Sequence, residues 1–203
     1  MILRPVLVRF SSALPRRARG AEARAAARAA LAESARSAGA RLDGEARPLP
    51  KDARGAPLPL HGWHWSLADT IGLAAGLVAR VPVAIDAEWL GRPRWEAARA
   101  RFAETGELER LGADDRPAVL ALWTAKEALL KLRGSGLADL GHCALVAVQG
   151  QEFWLAHRGR TNLVRVLVQG EHLLAVACDE PFQVECHELD HEVVRSARAG
   201  ARP

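Results

Sequence analysis

The stretch VPVAIDAEWL, residues 81–90, reads as a strand: Val81, Val83 and Ile85 fall on one face, Asp86 and Glu88 on the other. Period two over this span predicts strand from about 81 to 89. Two carboxylates two residues apart on one face repel each other unless solvent, a base or a cation takes up their charge. The apolar run before Asp86, and Trp89 after it, argue against a fully exposed strand end.

Some forty residues downstream lies LWTAKEALLK, residues 122–131, which holds two of the only three lysines, Lys51, Lys126 and Lys131, among 28 basic residues. At 100° per residue Val119, Leu122, Trp123, Leu129 and Leu130 make an apolar stripe. Lys126 falls inside it, and Glu127 and Lys131, four apart, sit together at its edge. Asp114 and Asp115 supply an N-cap, Pro117 suits the first turn, and Gly134 stops the helix. An ammonium group among leucines needs an anion or a short reach to solvent. The plain reading is that Lys126 snorkels and that Glu127 and Lys131 form a surface pair.

Working outward, RPVLVRF (4–10) suits a strand and the alanine-rich stretch 20–40 a helix. GEARPLPKDARGAPLPL (44–60) is a loop, and two or three short strands follow it, ending in 81–89. Residues 92–111 look helical and read as a mobile connection. From about 139 onward, apolar runs broken by glycine predict an antiparallel sheet. Strand, helix, strands thus occurs twice. The expected fold class is α+β, with two similar halves in a pseudo-twofold arrangement, each a helix on a small antiparallel sheet. The division expected is 1–80 and 81–203.

At 203 residues, 49% hydrophobic and 26% charged, the chain is long enough to build a real core. No apolar run approaches a membrane span, and Arg4, Pro5 and Arg9 break the N-terminal apolar segment, so a cytoplasmic protein is expected. Cys143, Cys178 and Cys186 lack metal-ligand spacing and read as buried or incidental thiols. Net charge +4 favours an anionic partner in general terms.

Asp86, Glu88 and Glu127 together are three hard oxygen donors from a strand and a helix. Mg²⁺, or Mn²⁺ in its place, suits such a set, with waters and substrate phosphates completing the shell. Lysine beside it is a mobile point charge for phosphate. The residues by themselves thus point to metal-dependent phosphoryl-group chemistry.

AIDAEWL followed by WTAKEALLKLRGSGL resembles the 4′-phosphopantetheinyl transferases, of the longer two-halved type that acts on secondary-metabolite and fatty-acid carrier proteins. The strand motif D-x-E is present as Asp86/Glu88. The helix motif W-x-x-K-E-A-x-x-K is present as Trp123, Lys126, Glu127, Ala128 and Lys131. RGAPLPLHGWHWS (54–66) is similar to the family's glycine-proline loop. The resemblance implies that a serine of an apo acyl or peptidyl carrier protein attacks coenzyme A and 3′,5′-ADP leaves. It implies metal at Asp86, Glu88 and Glu127, Glu127 as general base, Lys131 on the phosphates, and Lys126 orienting Glu127 or touching coenzyme A. Arg54, His64 and Ser66 join them as substrate-binding candidates. No nucleic-acid or membrane partner is expected, and a monomer is.

Three departures from the family pattern stand out. Ala84 replaces a glycine before the strand motif. Ala56 replaces the loop lysine, with Arg54 and Lys51 nearby. Leu67 stands where the histidine for the nucleotide 3′-phosphate belongs, and His64, on the face of Ser66, is its candidate substitute. Two competing readings are a non-catalytic relative that binds coenzyme A or a carrier protein, and a metal-dependent nuclease, which would suit the basic charge. Nucleases usually put the lysine on the strand beside the acids, and AIDAEWL has none.

Overall fold

The computed structural model describes residues 1–13, 15–42 and 49–189. Positions 44–48 of the loop and 190–203 of the C-terminal half lie outside the described residues. The fold is mixed α+β, built from two helix-on-sheet units and a short two-stranded ribbon.

In the first unit, β1 (Ile2–Leu3) and β2 (Val6–Arg9) precede α1 (Arg16–Ala38), and β3 (His64–Thr70) and β4 (Leu73–Ala79) form an antiparallel hairpin. α1 begins four residues before the expected helix and packs on β4 through alanines: Ala23, Ala26, Ala27 and Ala30 meet Val6, Val8 and Ala74. Small side chains let the backbones approach. At Gly76 a Cβ would lie 2.4 Å from the backbone nitrogen of Leu31, so only glycine fits.

The second unit starts with β5 (Val83–Trp89). α2 (Trp95–Phe102), α3 (Thr105–Leu111) and α4 (Arg116–Arg133) follow, then a 3₁₀ turn at Leu137–His142. β6 (Cys143–Gln149), β7 (Glu152–His157), β8 (Arg160–Gln169) and β9 (His172–Cys178) complete an antiparallel sheet in the order β5-β9-β8-β7-β6. α4 is capped as its sequence requires. Asp115 accepts from the Ala118 amide at 3.0 Å, and Gly134 closes the helix at φ 61°.

β5 is the joint between the units. Its Val83, Ile85 and Ala87 pack with Leu77 of β4 and Leu174 of β9, while Ala84 packs under α4 with Leu122 and Leu129. The alternation expected from the sequence therefore turns Asp86 and Glu88 to the α4 side.

Two short strands, β10 (Gln183–Val184) and β11 (His187–Leu189), pair in parallel with β1 and β2. Hydrogen bonding thus crosses the division expected at 80/81: residues 183–189 complete the first unit. Residues 92–111, expected to be a connection, are two helices with an anchored side chain. Glu107 of α3 is 1% exposed. Cys143 and Cys178 are buried, Cys186 half-buried, and all three are free. No helix among the described residues is long and apolar enough to cross a membrane.

Candidate active site

Asp86 lies at the centre of the site, held by strand pairing to Ala175 of β9 and buried. Ser66 of β3 fixes its approach, because the Ser66 hydroxyl accepts from the amide of Ile85, one residue earlier, at 3.1 Å. Lys131 donates from Nζ to Asp86 Oδ1 at 2.6 Å and to the Ile85 carbonyl at 3.3 Å. The other oxygen, Oδ2, is buried with no partner among the described residues. That oxygen is placed to accept from the neighbouring Glu127 carboxyl or to bind a cation.

Glu127, on α4 one turn before Lys131, completes a tight group. Burial first, and then the charge of Asp86, push its carboxyl up to about 8, while Lys131 pulls the other way. Glu88 is also pushed upward, mainly by burial and further by Asp86, with Arg92 opposing. Its Oε1 accepts from Trp123 Nε1 at 3.0 Å and from Arg92. Three carboxylates therefore share a poorly solvated space and disfavour one another's charge.

These are hard oxygen donors, which suits Mg²⁺ or Mn²⁺, and the orphaned Asp86 oxygen together with the raised Glu127 shows that the group lacks positive charge. As the side chains stand, no three His, Cys, Asp or Glu among the described residues are placed to hold a metal ion. The reason is visible in the contacts. Lys131 occupies one oxygen of Asp86, and Arg92 and Trp123 occupy Glu88.

Lys126 is not in this group, contrary to the expectation that it orients Glu127 or touches substrate. It is 3% exposed and donates to the Phe102 carbonyl at 2.7 Å and to Glu107 Oε2 at 2.8 Å, with Oε1 at 2.7 Å. Glu107 also accepts from the amides of Leu145 at 2.6 Å and Glu104 at 2.9 Å. All the anion's lone-pair directions are used, so this pair ties α4 to α3 and β6. The sequence signal was the lysine inside an apolar stripe, which demands an anion without saying which.

His64 and Ser66 share a cleft of about 60 Å³ with Lys131, walled by Pro57 and Pro59 of the loop and by Trp65. Burial lowers the His64 pKa. Leu67 packs beneath α1, facing away from that cleft. Arg54 is not in the cleft; it lines a separate cavity with Arg133 and Arg158. Lys51 lies over the Trp65 ring, 5.9 Å from its centroid. Arg92, which sequence reasoning did not single out, covers Glu88 and approaches the Trp123 ring at 5.6 Å. Its signal was modest: an arginine four residues past a carboxylate.

No curated protein matches the chain. A family match does exist, and it spans the strand and helix that bring Asp86, Glu88, Glu127 and Lys131 together: residues 82–177, just under half of the chain, match the family model of the 4′-phosphopantetheinyl transferase superfamily.

Proposed function

We propose that the chain transfers the 4′-phosphopantetheine arm of coenzyme A to a serine hydroxyl of an apo acyl or peptidyl carrier protein, releasing 3′,5′-ADP. The observation that supports this most is Glu127, with its carboxyl pushed up to about 8 beside the orphaned oxygen of Asp86. That carboxyl lacks compensating positive charge, which a bound divalent cation would supply.

In this reading Asp86 and Glu127, with Glu88 as third donor, would hold Mg²⁺ or Mn²⁺. The bound ion would supply Lewis-acid charge on the pyrophosphate. Lys131 leaves Asp86 Oδ1 and moves its ammonium to the phosphate oxygens, where charge develops as the bond to the leaving group lengthens. Arg92 keeps Glu88 in place. Glu127 takes the proton as the serine oxygen bonds to the β-phosphorus and the bond from that phosphorus to the bridging oxygen breaks. The bridging oxygen leaves with the nucleotide. His64 and Ser66 line the cleft next to Lys131 and receive part of coenzyme A there.

The half 1–80 contributes nucleotide and carrier contacts, and the half 81–203 the metal and catalytic groups. Two helix-on-sheet units in one chain supply both sets of groups, so the protein works as a monomer. Incubation with coenzyme A, Mg²⁺ and an apo carrier protein, followed by weighing the carrier, tests the reading. A carrier heavier by one phosphopantetheine arm supports it. Coenzyme A binding with an unchanged carrier would leave only a binding protein.

A further inference from the structure

A second cavity lies apart from the carboxylate cluster. It has a volume of about 490 Å³ and lies where the loop before β3, the end of α4 and the β7–β8 turn meet. Four of its lining side chains are arginines, Arg54, Arg133, Arg158 and Arg160.

Two of those arginines are held in position. Arg133 donates twice to Asp179, at 3.1 and 2.5 Å, and also to Asn162. Arg158 grips Asp139 with two bonds, at 2.7 and 2.6 Å, and His157 Nε2 lies 2.9 Å from the same carboxylate. Arg158 occupies a left-handed position, φ 47°, in the two-residue turn Arg158–Gly159. That turn favours asparagine or glycine, so an arginine there sits against local preference and is retained by its grip on Asp139.

Arg54 and Arg160 are exposed, and neither side chain has a partner among the described residues. The cavity wall thus keeps uncompensated positive charge. Ser135 adds a hydroxyl whose oxygen is buried and without a partner. Oriented guanidinium forks, two free ones and an unused hydroxyl are the groups that take phosphate oxygens.

We propose that this cavity is a second anion site, which binds a compact multivalent anion of the phosphate class independently of the carboxylate cluster. Four arginines line the cavity, so charge and hydrogen bonding select the ligand. The site does not depend on the proposed transfer activity.

Inorganic pyrophosphate is the probe, titrated calorimetrically into the full chain at low salt in metal-free buffer. Saturable binding is expected. Arg160→Gln and Arg54→Gln should each weaken it at least about tenfold, the effect of losing a hydrogen bond to a charged group. Their melting temperatures should match the wild type, since neither arginine holds another residue. His64→Ala, which alters the other cleft, should bind as the wild type does. Absence of binding, unchanged affinity in both arginine variants, loss in His64→Ala, or displacement of pyrophosphate by coenzyme A would each overturn the proposal.

Discussion

Lys126 and Lys131 stand five residues apart on one helix and meet two different fates. Lys126 is 3% exposed, and its partner Glu107 has both oxygens engaged by several donors. Lys131 is 38% exposed, and its partner Asp86 keeps one buried oxygen idle. The first pair is complete and has nothing left to offer a ligand. The second is a provisional arrangement in which an ammonium stands in for charge that three carboxylates together still lack. The same residue type thus serves structure at one point and chemistry at the next, and the difference lies in how far the partner's lone pairs are used.

The contrast is tested first where the largest effect is expected. Glu127→Gln keeps the shape but removes the base, and transfer should fall about 10²–10⁴-fold. Mass spectrometry of the carrier under single-turnover conditions reads this, and transfer within a few-fold of wild type would remove Glu127 from the chemistry.

Lys126→Met should instead act on stability. Leaving Glu107 buried and unpaired should cost about 3–5 kcal/mol in urea unfolding. A loss below about 1 kcal/mol would erase the distinction between the two lysines.

A third test uses pH. Glu127 holds its proton up to about 8 in the folded chain, against an ordinary value of 4.5. The unfolded chain therefore releases that proton first, and stability should fall as pH rises from about 4.5 to about 8, by up to about 1.4 kcal/mol per unit from this group. Glu127→Gln should flatten that slope. Mg²⁺ must displace the same proton, so its affinity should climb over the upper part of this range and level off above 8. Calorimetry at several pH values reads it, and a flat affinity would separate Glu127 from the cation.

The smallest effect sharpens the comparison most. Lys131→Met should destabilise the chain less than Lys126→Met does, since Lys131 is 38% exposed and only its partner is buried, while suppressing transfer. A stability loss equal to that of Lys126→Met would make Lys131 a second structural lysine.

The direction of Asp86 and Glu88 was legible because a strand alternates and its apolar residues declare the other face. The caps of α4 were legible because Asp115 and Gly134 act locally. Glu107 was not, since ETGELERL reads as a solvated helix start and the buried side of a seven-residue helix is set by what covers it. The direction of Arg54 was illegible for a related reason. A loop has no period, so nothing local tells whether residue 54 turns toward His64 or toward Arg133. The return of residues 183–189 to the first sheet was illegible too, because short strands announce no partner.

That return governs when the molecule can be finished. Arg9 and Glu188, joined at 2.7 Å, are 179 positions apart. At about 5–20 residues per second, a ribosome needs roughly ten to forty seconds between exposing β2 and delivering its parallel neighbour. During that interval β2 is an open sheet edge, able to capture another extended segment. The newborn chain is therefore most vulnerable to mispairing at its beginning, and its last described strand is the one that ends the exposure.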